Sequence, residues 1–128
     1  MKLLLDTHVV LWLLGDVTRL SERSKSAIAN PDNLVYVSAA SVWEMAVKQS
    51  IGKLELPGPV STWLHTELVA RDMRTLPIDF AAAAAAASLP PIHRDPFDRM
   101  IIAQAGRALT VVTHDRRFGD YPVDVLWT

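Results

Sequence analysis

The sequence predicts an α/β protein in which helices cover both faces of a central parallel sheet. Short apolar runs alternate with helical stretches along all 128 residues, a pattern that favours parallel pairing of the strands. The runs are continuously apolar, as expected of strands that are buried on both faces. Several runs end directly at an acidic residue, and the carboxyl ends of parallel strands share the sheet edge where ligands bind.

Length and composition predict one domain. Hydrophobic residues make up 50% of the chain and charged residues 21%, which provides a core and argues against disorder. No linker or repeat divides the chain, so we expect a single domain over residues 1–128. The formal net charge of −1 argues against binding of nucleic acid over the whole surface, although it allows a local basic patch.

The N-terminus and the cysteine content bear on location. The apolar run at residues 3–5 is cut by Asp6 and is too short for a signal peptide, and no stretch approaches the ~20 apolar residues of a membrane span. The chain has no cysteine, which excludes disulfides, thiolate zinc sites and cysteine nucleophiles. We therefore expect a cytoplasmic protein without a membrane segment.

Five short runs of apolar, β-branched or aromatic residues predict the strands of the sheet. The predicted strands are residues 3–5, 34–37, 75–78, 109–113 and 123–127. The run at residues 75–78 is the weakest of them. Turn-forming segments such as residues 30–33 separate these strands from the neighbouring helices.

Six stretches with helical spacing or strong helix formers predict helices. The predicted helices are residues 9–14, 21–29, the stretch to about residue 49, 60–73, 81–87 and 96–107. Ser38 and Ser41 both suit the N-cap of the third helix. The seven consecutive alanines of the fifth combine the strongest helix former with a small side chain, so this helix can pack closely on a neighbour.

A proline-rich loop leads into the last helix and carries two aspartates at the junction. Asp95 suits the N-cap, and Pro96 suits the first helical position, where its missing N–H costs nothing. Asp98 lies in the first turn, where the helix dipole favours a negative charge. Because capping alone explains both acids, the rest of the chain has to decide whether they have a function.

Three further acids stand at comparable junctions. Asp6 follows the first strand, Glu44 lies near the start of the helix after the second strand, and Asp115 follows a late strand. These residues and Asp98 are predicted to converge at the carboxyl edge of the sheet. Clustered carboxylates raise each other's pKa unless a cation neutralises them, and oxygen ligands favour Mg²⁺, with Mn²⁺ as a substitute. A metal held in this way predicts hydrolysis of phosphodiester bonds, with all four acids as catalytic and metal-binding residues.

Each acid also has a structural interpretation. Asp6 could cap the following helix, and Ser41 with Glu44 fits a capping box. If Ser38 is the cap instead, Glu44 would face outward. Asp115 could be a turn residue, and Asp120 is a weaker alternative for the fourth acid.

Several other polar residues are candidates for supporting roles. Thr7 and Thr113 could position water or substrate through their hydroxyl groups. Arginines near the acids could bind the phosphates of a nucleic-acid backbone, or could instead form salt bridges with those acids. The candidates for this binding are Arg94, Arg99 and Arg116. The spacing of the histidines, His93 and His114 included, matches no zinc pattern, which favours structural roles for them.

The chain resembles the PIN-domain family, and more closely the VapC-type toxins of bacterial type II toxin–antitoxin pairs. The resemblance covers essentially the whole chain and is carried by residues 4–8, 38–44, 94–105 and 112–115. Its most specific part is the Asp-Pro-Phe-Asp-Arg segment at residues 95–99.

This resemblance implies a Mg²⁺-dependent ribonuclease with a parallel sheet of about five strands. By position, it implies that Asp6, Glu44 and Asp98 bind the metal and that Asp115 completes the site. It also implies a homodimer and a small antitoxin partner whose tail enters the acidic groove. The alternative function is a catalytically weak scaffold of the same fold that binds RNA or a protein partner.

Overall fold

The computed structural model describes residues 1 to 128 and contains a five-stranded parallel sheet between two layers of helices. The strands are β1 (Lys2–Leu5), β2 (Leu34–Ser38), β3 (Arg74–Leu76), β4 (Thr110–Thr113) and β5 (Asp124–Trp127). The helices are α1 (Thr7–Leu14), α2 (Glu22–Ala29), α3 (Ala39–Ser50), α4 (Val60–Ala70), α5 (Phe80–Ser88) and α6 (Pro96–Ala105). Two 3₁₀ segments cover Val17–Arg19 and Arg116–Asp120. The predicted fold class is confirmed.

Strand β1 lies at the centre of the sheet, whose order is β3-β2-β1-β4-β5. Leu5 pairs with Val37 of β2 on one side and with Val112 of β4 on the other. The core is divided by the sheet into two clusters: Leu3 packs in the cluster with α1, α3 and α4, and Leu4 packs in the cluster with α6. The continuous apolar runs therefore reflect burial on both faces, as the sequence predicts.

Local capping fixes where several helices begin. The hydroxyl of Ser38 accepts a hydrogen bond from the N–H of Ala40 at 2.9 Å, so Ser38, and not Ser41, is the N-cap of α3. Asp95 caps α6 through the N–H of Phe97 at 2.8 Å, with Pro96 in the first position of the helix. The predicted capping role of Asp95 is confirmed.

Two helices end before the predicted residues. α4 ends at Ala70 because Asp72 has a φ of 54°, and the N–H of Met73 then bonds back to the carbonyl of Leu68 at 2.9 Å. α6 ends at Ala105 because Gly106 combines a φ of 49° with a ψ of −127°, a conformation that only glycine adopts without strain. None of the six helices combines the length and the apolar character needed to cross a membrane.

Candidate active site

An open cleft of about 640 Å³ lies beside the carboxyl ends of β1 and β4, and we call it the acidic cleft. Nine of the ten residues that line it are polar or charged. They are Asp6, Asp95, Asp98, Asp115, Arg19, Arg116, Arg117, His8 and His114, and the tenth is Trp12. Three of the four predicted acids therefore share one cleft.

Asp6 is rigidly held at the floor of this cleft. Its carboxylate accepts hydrogen bonds from the N–H of Thr7 at 2.6 Å and from the hydroxyl of Thr113 at 2.8 Å. Its own N–H donates to the carbonyl of Val112 at 3.0 Å, which continues the pairing of β1 with β4. Asp6 thus caps α1 and still directs a carboxylate oxygen to the sheet edge, so its structural and functional interpretations are compatible.

His93 joins two of the predicted acids. Its Nε2 lies 2.7 Å from Oδ2 of Asp115 and 3.0 Å from Oδ2 of Asp98, and the ring is almost completely buried. The ligand atoms of these three residues lie within 4.8 Å of one another, a spacing that could hold a metal ion. The loop before α6 and the turn after β4 are therefore connected through one imidazole.

The hydrogen bonds of His93 determine which of its nitrogens carries the proton. Nδ1 lies 3.2 Å from the backbone nitrogen of Asp95 and accepts a hydrogen bond from it. Nε2 must then carry the hydrogen and donate it to the carboxylate of Asp115, while Oδ2 of Asp98 lies 3.0 Å away. To bind a metal through Nε2, the ring would have to give up the bond from Asp95. The geometry therefore favours His93 as a donor that orients carboxylates, with the carboxylates as the ligands.

Glu44 lies on α3 and does not line the acidic cleft. Its side chain is only 4% exposed, so the expectation that Glu44 faces outward when Ser38 is the cap is wrong. One carboxylate oxygen, Oε2, is 2.6 Å from the ammonium of Lys48, and the other, Oε1, is buried without a hydrogen-bond partner. The capping box with Ser41 does not form, since the hydroxyl of Ser41 instead accepts a hydrogen bond from Thr7 at 2.9 Å.

The charges of the cluster act on Asp98 most strongly. Burial, followed by the charges of Asp6, Asp95, Glu44 and Asp115, raises the pKa of Asp98 to about 8. Burial likewise raises the pKa of Asp6, with a smaller contribution from the charge of Glu44. Four carboxylates thus add to the effect of burial on Asp98, which is the acid that they affect most strongly.

Asp115 has the opposite environment. Partial burial alone would raise the pKa of Asp115, but hydrogen bonds from Arg117 and His93 outweigh it and lower that pKa to about 2. Arg117 binds both carboxylate oxygens, at 3.1 Å each. Asp120, the alternative fourth acid, is exposed at the end of a 3₁₀ segment and does not line the acidic cleft. The structure therefore places Asp115, and not Asp120, beside the other acids.

The hydroxyl groups of the two threonines are engaged within the protein. Thr113 donates to Asp6 and accepts a hydrogen bond from the N–H of Asp115 at 3.0 Å. Thr7 donates to Ser41 and so joins α1 to α3. Neither threonine lines the acidic cleft, and the positioning of water or substrate by these two residues stays a prediction.

The three predicted RNA-binding arginines differ in their surroundings. The guanidinium of Arg99 donates to four backbone carbonyls, those of Ala86, Leu89, Pro90 and His93, at 2.8 to 3.2 Å. These donors hold the loop before α6, and contact of Arg99 with RNA stays a prediction.

Only Arg116 of the other two lines the acidic cleft. Arg94 is exposed and lies outside the lining, so its contact with RNA stays a prediction.

Comparison with known proteins identifies the family. The model of the PIN domain matches residues 3–123. Ribonuclease VapC22 of Mycobacterium tuberculosis is 38% identical over 116 residues, which are 89% of this chain and 87% of that protein.

Two solved structures share the fold. The crystal structure of VapBC2 from Rickettsia felis, bound to a DNA fragment from its promoter, superposes with a TM-score of 0.74 at 15% identity, covering 99% of this chain and 98% of that one. VapBC-5 of M. tuberculosis, a member of the VapBC family of toxin–antitoxin systems, gives a TM-score of 0.59 at 25% identity over 98% and 96% of the two chains. The first likeness shows the fold alone. Together with the matches in sequence, these findings show that the chain belongs to the PIN-domain family and is of the VapC type.

Proposed function

We propose that this protein is a Mg²⁺-dependent endoribonuclease that hydrolyses RNA phosphodiester bonds and acts as the toxin of a toxin–antitoxin pair. The observation that carries the proposal is the convergence of Asp6, Asp98 and Asp115 in one cleft, where burial and then four neighbouring carboxylates raise the pKa of Asp98 to about 8. Such a perturbed acid in a cleft is typical of a functional site. A bound cation would relieve the repulsion and allow Asp98 to ionise at neutral pH.

The donor groups fit a hard divalent cation. Oε1 of Glu44 is a buried carboxylate oxygen with no hydrogen-bond partner, which is costly unless a ligand satisfies it. The remaining ligands would be the carboxylates of Asp6, Asp98 and Asp115, and oxygen donors favour Mg²⁺, with Mn²⁺ as a substitute. His93 and Thr113 would hold these carboxylates in place.

Mg²⁺, when bound, would neutralise charge on the scissile phosphate and lower the pKa of water. The chain's own contribution is to preorganise the site. Asp6 is fixed by two hydrogen bonds, and the carboxylates of Asp98 and Asp115 are fixed by one imidazole, so little reorganisation is needed for substrate to bind. The ammonium group of Lys48, which lies outside the acidic cleft, offsets the negative charge of Glu44.

The name of the relative from M. tuberculosis, Ribonuclease VapC22, supports the assignment of RNA as the substrate. The VapBC complexes among the structural neighbours support an antitoxin partner. We further propose a cytoplasmic homodimer. Exposed apolar side chains provide surface for protein partners: Phe80 of α5 is 92% exposed, and Trp43 of α3 is 62% exposed.

The test is cleavage of total cellular RNA by the purified protein with and without Mg²⁺. We expect Asp98→Asn and EDTA each to abolish cleavage, because each removes the metal from the cluster. Asp120→Asn is the matched control, since it makes the same change at an exposed acid outside the acidic cleft. Full activity of folded Asp98→Asn would overturn the proposal. Metal binding without turnover on any RNA would support the catalytically weak scaffold instead.

The proposed partners need separate measurements. Light scattering of the purified protein tests the homodimer, and a monomer at micromolar concentration would exclude it. Co-expression with the neighbouring open reading frame tests the antitoxin. We expect a short DNA-binding protein that co-purifies and restores growth, and continued growth arrest would contradict the pairing.

A further inference from the structure

Two arginines on the rim of the acidic cleft rest on tryptophan rings. The Cζ of Arg19 lies 5.3 Å from the centroid of the Trp12 ring, and the Cζ of Arg116 lies 4.7 Å from that of the Trp127 ring. Neither arginine forms an ion pair with an acid. A guanidinium on an indole face is fixed in position while its N–H donors remain free for another acceptor.

The charge distribution of the acidic cleft makes these two arginines important for an anionic ligand. Asp6, Asp98 and Asp115 repel an approaching phosphate unless positive charge lies nearby. Arg117 also lines the cleft, but its guanidinium is bound to Asp115. Arg19 and Arg116 are thus the two permanently charged cations of the cleft that have no acidic partner.

The wall next to Arg19 consists of flat rings. The ring of Trp12 lies 6.0 Å from that of His8 and 5.6 Å from that of His114, and both imidazoles are exposed. Such a wall suits a strand with unpaired bases, because each base has a face that can stack on a ring. The open form of the cleft fits this kind of ligand better than a duplex, whose bases face inward.

Resting on the nuclease function above, we propose that Arg19 and Arg116 form a clamp for the phosphodiester backbone of single-stranded RNA. The acceptors are phosphate oxygens next to the scissile bond. The scissile phosphate itself would lie beside the carboxylates of Asp6, Asp98 and Asp115, which would hold the cation. Contacts to phosphates carry no sequence information, so the clamp binds RNA of any sequence and leaves sequence preference to other residues.

The test measures binding without cleavage. The full-length protein is titrated into fluorescently labelled single-stranded 12-mer RNAs of several sequences in Ca²⁺ without Mg²⁺, at a series of salt concentrations. The variants are Arg19→Gln, Arg116→Gln and the pair together. Arg23→Gln is the matched control, because Arg23 is an exposed arginine of α2 outside the acidic cleft. Circular dichroism melting confirms that each variant is folded.

We expect each clamp variant to weaken binding about tenfold on every sequence, and to reduce the slope of log affinity against log salt by about 0.7 for each phosphate that the variant no longer binds. Arg23→Gln should match wild type in both. Unchanged affinity and slope in the double variant would overturn the clamp. The clamp would also be overturned if the double variant bound an acidic peptide more weakly than wild type but bound RNA equally well. If wild type binds RNA through the clamp but never cleaves it with Mg²⁺, the nuclease proposal fails and the clamp stands.

Discussion

Nε2 of His93 donates a hydrogen bond to Oδ2 of Asp115 over 2.7 Å, and this bond joins a loop before α6 to the turn after β4. Its proton is fixed on Nε2 by the backbone N–H of Asp95, which donates to Nδ1. The backbone of Asp95, in the motif of residues 95–99, therefore helps through His93 to orient Asp115, which lies 20 positions later in the chain.

This arrangement predicts that glutamine can replace His93 better than asparagine can. The amide nitrogen of His93→Gln reaches the position of Nε2 and can still donate to Asp115, whereas that of His93→Asn reaches only the position of Nδ1. We expect Asn to weaken Mn²⁺ affinity about 10- to 100-fold, with a much smaller loss for Gln. Titration followed by electron paramagnetic resonance measures this, with the same substitutions at exposed His65 as controls. Equal losses in both His93 variants would instead indicate a direct metal ligand.

The raised pKa of Asp98 predicts that the metal-free protein loses stability as pH rises. An acid whose pKa increases on folding, here from 3.8 to about 8, favours the folded state when it is protonated. That stabilisation is complete below about pH 4 and is lost as the pH passes about 8. We expect the melting temperature in EDTA to fall between about pH 5 and about pH 9, and Mg²⁺ to reduce the fall. Asp98→Asn should flatten the curve, whereas Asp120→Asn should follow wild type. A wild-type melting temperature that does not change with pH in EDTA would contradict the raised pKa of Asp98.

Lys48 is predicted to matter most when the metal is absent. Lys48→Met leaves the buried carboxylate of Glu44 without its ion pair, and the lysine side chain is 43% exposed, which limits the loss to about 1–2 kcal/mol. A bound cation would take over part of this role, so the loss of unfolding free energy should be larger in EDTA than in Mg²⁺. Lys25→Met, which breaks the exposed pair with Glu22, is the matched control and should cost little under both conditions. Equal losses with and without Mg²⁺ would argue that Glu44 does not contact the ion.

Arg99 is predicted to be a structural residue. Arg99→Met keeps the length of the side chain but removes a donor from four carbonyls, of which only that of Pro90 still accepts from Tyr121 and Ile92. We therefore expect a loss of at least about 2 kcal/mol of unfolding free energy in urea titrations. Arg94→Met, at an exposed neighbour, should change it by less than about 0.5 kcal/mol. Wild-type stability of Arg99→Met would show that these bonds do not hold the loop.

The sheet edge could be predicted from the sequence because the relevant signals are local. Asp6 and Asp115 closely follow strands, and parallel pairing places both at the same edge whatever the connections are. Asp95 is recognisable as a cap from its neighbour Pro96. The positions of these three residues can be predicted without knowing which distant residues they contact.

The surroundings of Glu44 and Arg99 could not be predicted, because distant residues determine them. Two serines suit the N-cap of α3. Ser38 is the cap because it accepts from the N–H of Ala40, whereas the hydroxyl of Ser41 accepts from Thr7, 34 positions earlier. By sequence alone Arg99 is free to bind RNA, since nothing local reveals that four carbonyls of the preceding segment fold back around it.

The bond between Asp6 and Thr113 has a consequence for synthesis of the chain. The two residues are 107 positions apart, and β1 lies at the centre of the sheet with β4 as its neighbour. A nascent chain still attached to the ribosome before residue 113 emerges lacks the hydroxyl that orients Asp6, and it lacks Asp115 as well. The acidic cleft is therefore completed only after residue 115 has emerged, so chains truncated before Thr113 should carry Asp6, Glu44 and Asp98 without an assembled site.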